Sequence, residues 1–99
     1  MVNINTVMLG GSVSNFKPGV TKNGKTFLKL TLTTWKQHEE KDDVPMFHNV
    51  VFYAGKADAI LKYVKEKEPL IVSCQIEYRN NANGETYTSL VGTEFFFCG

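Results

Sequence analysis

One helical segment lies among strand-like segments, and this arrangement constrains the fold more than any other feature of the sequence. Residues 56–67 read KADAILKYVKEK, in which apolar side chains recur at the four-residue spacing that gives a helix one apolar face. These apolar residues are Ala57, Ile60, Leu61 and Val64. The remaining apolar or alternating segments predict five strands. We expect these strands at residues 6–13, 27–35, 47–54, 70–79 and 87–97.

The order of these elements, with the helix between the third and fourth strands, predicts an all-β OB-fold. This fold is a five-stranded Greek-key barrel with one α-helix in that position. A small α+β sheet covered by a single helix is the alternative. At 99 residues the chain has the length of one domain, so we expect a single OB-fold domain over residues 1–99.

Turn-forming residues separate the predicted strands. Asn-Gly pairs at residues 23–24 and 83–84 predict hairpin turns, because both residue types tolerate positive φ. The adjacent glycines at residues 10–11 predict a bend or bulge in the first strand. Residues 14–25, SNFKPGVTKNGK, predict a turn-rich connection between the first two strands.

The second strand, FLKLTLTTW, has two faces of different character. Side chains two residues apart share a face of a strand. The even positions form a core face of Leu28, Leu30, Leu32 and Thr34. The odd positions are Phe27, Lys29, Thr31, Thr33 and Trp35. A face that only met water would need neither aromatic ring, so the odd face is a candidate binding surface.

The third strand adds two more rings to this candidate surface. If Phe47 and Tyr53 point outward, they lie beside the two rings of the second strand. Lysines at positions 29, 36 and 56 would border the four rings. Bases of single-stranded nucleic acid stack on such rings, and lysines follow the phosphates. The alternative is that the rings cover an edge of the core or a subunit interface.

Charge is distributed unevenly along the chain. Five lysines and no acidic residue precede residue 39, whereas six basic and ten acidic residues follow from there. This asymmetry suggests a basic face with an anionic partner, although a random clustering of surface lysines would give the same pattern. The predicted nucleic-acid-binding residues are Phe27, Lys29, Trp35, Lys36, Phe47, Tyr53, Lys56, Arg79, Lys17, Lys22 and Lys25.

Other kinds of chemistry have little support in the sequence. The polar loop at residues 38–43 lacks the spacing of a calcium or zinc site. His48 and Cys74 fall on core-facing sides of their strands, so we expect no enzyme, no metal and no cofactor. We expect Cys74 and Cys98 to be reduced, with a single bridge as the alternative. No apolar run is long enough to span a membrane and no basic leader opens the chain, which predicts a cytoplasmic protein.

Four stretches together resemble the bacterial and phage single-stranded DNA-binding proteins. They are NTVMLGGSV, KNGKTFLKLTLTTW, MFHNVVFYAGKADAILKYVKEKEPLIVSCQIEYR and NGETYT. The resemblance implies an OB-fold that coats single-stranded DNA with little sequence preference and serves DNA replication, recombination and repair. It also implies a homo-oligomer, a dimer or tetramer paired through residues 6–13, in a bacterial cell or a phage-infected host.

Several residues take on roles through this resemblance. Trp35 falls at the family's stacking aromatic after the second strand. Phe47 takes the place of a Trp, and Tyr53 that of a Phe. Arg79 matches a basic position on the fourth strand.

The chain also departs from the family pattern. Asn49 and Glu77 stand where basic residues are usual, and Asn81 stands near the place of another stacking Trp. The sequence ends at EFFFCG, without the acidic tail through which the family recruits other proteins. The missing tail and modest net charge favour a second hypothesis, a protein-interaction OB module similar to primosomal protein N. The aromatic face counts against that hypothesis.

Overall fold

The computed structural model describes residues 3–36 and 44–97, which form one closed β-barrel with a single helix. Its elements are β1 (Val7–Val20), β2 (Thr26–Lys36), β3 (Val44–Tyr53), α1 (Ala54–Tyr63), β4 (Pro69–Asn80) and β5 (Thr86–Phe97). Around the barrel the strand order is β1-β2-β3-β5-β4, and β4 pairs again with β1. The β3–β5 pair is parallel, and the other pairs are antiparallel. The predicted OB-fold is confirmed.

The first strand is much longer than the sequence predicts. It continues to Val20, so the prediction of a turn-rich connection is wrong for residues 14–20. The reason is that residues 17–20 pair in register with residues 26–29 of β2, and this pairing outweighs the local turn preference of Pro18 and Gly19. The two Asn-Gly turns are as predicted, with Gly24 and Gly84 both at positive φ.

The irregularity in β1 also lies elsewhere than predicted. Residues 10–11 pair regularly with β4, whereas the register with β2 shifts between Ser14 and Lys17. Asn15 takes a positive φ of 54° at this bulge. The extra residue lets Phe16 pack against the core while Lys17 faces outward.

The core follows the alternation seen in the sequence. Its buried side chains are Val13, Leu28, Leu30, Leu32, Val50, Phe52, Ala57, Ile60, Val64, Leu70, Val72 and Cys74. The three leucines of the predicted core face of β2 are therefore confirmed, whereas Thr34, the fourth member, is half-buried. The helix ends at Tyr63 rather than at residue 67, and Leu61, expected on its apolar face, is exposed instead. Three residues of that segment, Ala57, Ile60 and Val64, pack into the core.

Candidate nucleic-acid interface

The outer face of β2 and β3 carries the four predicted aromatic rings. Strand pairing sets the odd positions of the two strands side by side. From one end of the face to the other, the facing pairs are Phe27 with Tyr53, Lys29 with Val51, Thr31 with Asn49, Thr33 with Phe47, and Trp35 with Pro45. The rings therefore form two groups, one at each end, with about 20 Å of strand between them.

The two groups of rings differ in exposure. Trp35 and Phe47 have 59% and 67% of their surface exposed, so each of these two rings is available to a ligand. Phe27 and Tyr53 are half-buried. The Phe27 ring lies across Gly19, where any side chain would overlap it. Glycine at this position of β1 thus allows the ring to lie flat against the sheet.

An open groove of about 690 Å³ begins at the Phe27–Tyr53 end of this face. One wall is formed by β2 and β3, and the opposite wall by the start of β5 and the end of β4. Five of the predicted residues line it: Lys17, Phe27, Lys29, Tyr53 and Arg79. A sixth, Lys25, holds its ammonium 5.7 Å from the centre of the Tyr53 ring.

Positive charge is concentrated in the groove. Lys17 and Lys29 are directly opposite each other on β1 and β2, which is an unfavourable pairing of like charges. The Lys29 ammonium lies 5.8 Å from the centre of the Phe27 ring. Within residues 3–36 and 44–97, the one salt bridge joins Arg79 to Glu77, so no carboxylate neutralises the two lysines.

Arg79 is held at the rim of the groove by two neighbours. Its Nη2 donates to Glu77 Oε1 at 3.2 Å, with both side chains 41% exposed. The Tyr53 side chain beside it, and then Glu77, raise the pKa of the Arg79 guanidinium still further above its ordinary value. This side chain is therefore a permanent cation facing the groove.

The other predicted residues lie outside the groove. Trp35 and Phe47 are at the far end of the same outer face. Lys22 is exposed in the turn after β1. Lys36 is the last residue of β2 and, as the neighbour of Trp35 in the strand, belongs to the opposite face. Lys56 is half-buried in the first turn of α1. The outer face of β2 and β3 is therefore continuous with the groove. Lys22, Lys36 and Lys56, however, lie away from the groove.

Sequence reasoning missed most of the other residues that line the groove, and three of those missed, Asn15, Asn49 and Tyr87, carry a large polar or aromatic side chain. Tyr87 is half-exposed and stands directly opposite Arg79. The hairpin turn at residues 83–84 could have revealed this pairing, because the turn sets the register. In the sequence Asn49 stands out only as a departure from the family pattern, and Asn15 is presented by a bulge that no local sequence pattern predicts.

Other sites are not supported in the part of the chain that the structure describes. Burial raises the pKa of the Cys74 thiol, so the free cysteine stays protonated in the core. The described residues contain no cluster of His, Cys, Asp and Glu that could hold a metal ion, and the predicted polar loop at residues 38–43 lies outside them. None of the described helices is long and apolar enough to cross a membrane.

Comparisons with known proteins agree with this geometry. The solved structure titled "Plasmodium falciparum SSB complex with ssDNA" has a similar fold, with a TM-score of 0.81 at 19% sequence identity. The match covers 100% of this chain and 98% of that one. A search of curated protein sequences finds no significant match. The model of the single-strand binding protein family matches residues 4–95, nearly the full length, and the chain therefore belongs to that family.

Proposed function

We propose that this protein binds single-stranded DNA with little sequence preference, stacking bases on its rings while its lysines neutralise phosphates. The observation that carries the proposal is the facing pair of Lys17 and Lys29, which no carboxylate among the described residues neutralises, next to the Phe27 and Tyr53 rings in an open groove. Coating and protecting single strands in replication, recombination and repair, in the cytoplasm of a bacterial cell or phage-infected host, is part of the same proposal.

The exposed rings favour a single strand over a duplex. A single strand offers the faces of its bases to an aromatic side chain, whereas a duplex keeps them stacked on each other. The structural match titled as a complex with single-stranded DNA supports this choice, as does family membership. Proteins of this family are non-enzymatic, which agrees with the prediction that the chain is no enzyme.

Binding is expected to weaken steeply with salt. Each phosphate neutralised on a single strand contributes about −0.7 to the slope of log affinity against log salt concentration. Contacts with roughly three to five phosphates per subunit predict a slope of about −2 to −4. Quenching of Trp35 fluorescence by oligo-dT at several salt concentrations measures this slope.

Two lysine variants sharpen the salt experiment. Lys29→Ala should reduce the slope by about 0.7, because one phosphate contact is lost. Lys65→Ala, which follows α1 outside the groove, should leave the slope unchanged. A salt-independent affinity in the wild type would remove the lysines from the mechanism. Weak binding at low salt would instead favour the protein-interaction module similar to primosomal protein N.

We also expect a homo-oligomer, paired through the first half of β1. Residues 7–10 pair with β4 on one side, whereas pairing with β2 begins only at Ser12, so their other backbone edge has no partner strand among the described residues. Such edges are paired or covered in natural proteins. Met8, 61% exposed, and Ile71 on β4 give this region an apolar surface.

Light scattering at micromolar concentration tests the assembly. The wild type should have the mass of a dimer or tetramer, and Met8→Lys should shift it toward the monomer because a charge would be buried at the interface. Tyr63→Lys, at an exposed position on α1, is the control and should not change the mass. A monomeric wild type would contradict the expectation.

A further inference from the structure

The three cations that line the groove are not equally free to meet a phosphate. Lys17 and Lys29 have no carboxylate partner among the described residues, whereas Arg79 forms a salt bridge with Glu77. The Arg79 Nη2 and Glu77 Oε1 atoms are 3.2 Å apart, and each side chain is 41% exposed. Such a pair carries no net charge, so Arg79 attracts an approaching phosphate less strongly than the two lysines do.

The carboxylate of this pair lies beside the groove. Residues two apart share a face of a strand, so Glu77 and Arg79 point to the same side of β4. Their partners on β5, Ser89 and Tyr87, both line the groove, as Arg79 does, whereas Glu77 does not. The guanidinium is therefore held between a carboxylate at the edge of the groove and the Tyr53 side chain on the opposite wall.

The salt bridge is weak enough to exchange partners. An exposed ion pair changes an equilibrium constant by up to about fivefold. A guanidinium can instead form two parallel hydrogen bonds with a phosphate, which is a stronger arrangement than the single hydrogen bond to Glu77. A phosphate in the groove can therefore displace the carboxylate, but the loss of the salt bridge subtracts from the free energy of binding.

We propose that Glu77 is a built-in competitor of the DNA backbone, which holds Arg79 in the free protein until a phosphate displaces it. Because of this competition the groove binds a strand less tightly and releases it more readily than its cations alone would allow. The inference rests on the proposed binding of single-stranded DNA and concerns how the affinity of that same groove is limited.

Glu77→Gln tests the competition, because it removes the charge and keeps the shape of the side chain. At one moderate salt concentration its affinity for a labelled oligo-dT, measured by anisotropy, should rise by up to about fivefold. The slope of log affinity against log salt concentration should become steeper by about 0.7, because Arg79 adds one phosphate contact. Glu77 and Arg79 are both partly exposed, so the variant should melt close to the wild type.

Glu85→Gln is the matched control. Glu85 is exposed in the turn between β4 and β5 and forms no salt bridge with any described residue. The substitution removes the same charge from the same hairpin, but it frees no cation, so the salt slope should stay at the wild-type value. A slope that steepened equally in the two variants would overturn the inference, because it would reflect net charge alone.

The effect of Glu77→Gln should also depend on Arg79. In the wild-type background, Arg79→Ala should reduce the slope by less than Lys29→Ala does, because the arginine is already paired. In the Glu77→Gln background, Arg79→Ala should abolish the whole gain in affinity and slope. A gain that persisted without Arg79 would overturn the inference.

Two other results would contradict the competition. Weaker binding by Glu77→Gln would show that the carboxylate positions Arg79 for DNA, and unchanged affinity and slope would show that the salt bridge does not limit binding. Both would overturn the inference and leave the proposed function standing, since the wild type would still bind. A wild type that did not bind oligo-dT at low salt would overturn both.

Discussion

Trp35→Ala and Phe47→Ala are each expected to weaken binding of single-stranded DNA roughly five- to more than a hundredfold. One stacked base contributes about 1–3 kcal/mol, and both rings are exposed on the outer face. Because Trp35 is itself the fluorescent reporter, the anisotropy of a labelled oligo-dT is the suitable measurement. All affinities should be taken at one salt concentration, because phosphate contacts vary with salt much more than stacking does.

The matched control for this experiment is Leu30→Ala on the opposite face of β2. Leu30 is almost completely buried, so its truncation should cost about 2–5 kcal/mol of folding free energy while the protein that remains folded binds almost normally. Trp35→Ala should show the reverse pattern. If Trp35→Ala bound oligo-dT normally but melted far below the wild type, the ring would serve the fold rather than the ligand.

Gly92→Ala is expected to be among the most destabilising single-methyl changes in the chain. A Cβ at this position would overlap the ring of Phe52, which is fully buried. That ring cannot move freely, since it packs edge-on against Phe95 with 6.1 Å between ring centres. Overpacking of this kind costs about 1–3 kcal/mol, or roughly 4–20 °C in the melting temperature of a domain this size.

Gly55→Ala is the control for Gly92→Ala. No atom lies near the position of its added methyl group, and the residue is in α1, where alanine is favoured over glycine by up to about 1 kcal/mol. Its melting temperature should equal or exceed that of the wild type. A Gly92→Ala variant that melted like the wild type would show that Phe52 has room to move.

The strand faces could be predicted because alternation is a local property of the sequence. Leu28 and Leu32 are buried and Trp35 is exposed, as their parity indicates. The course of β1 could not be predicted in this way. Its second half contains Pro18 and Gly19, and their turn preference gives way to pairing with β2, a contact between segments that are separate in the sequence.

The candidate site could be predicted only in part from the sequence, again because it depends on contacts between segments that are far apart in the chain. The four rings follow from the parity of β2 and β3, and the structure brings them to one face. The groove instead depends on which strands become neighbours when the barrel closes. Lys17 reaches it through a bulge, and Tyr87 through the register of a distant hairpin, and neither can be obtained from the parity of β2 and β3.

The parallel pairing of β3 with β5 is the shortest strand pairing of the barrel, with Val50 facing Leu90 and Val51 facing Val91. The groove extends across this strand pairing, because Val51 of β3 and Leu90 of β5 both line the groove. A ligand that fills the groove contacts both β3 and β5 and therefore opposes their separation. Occupancy and folding are then thermodynamically linked, and the resistance of the barrel to opening rises with the concentration of its ligand. A ligand in the groove would in this sense act as a removable seventh element, added to the five strands and the helix.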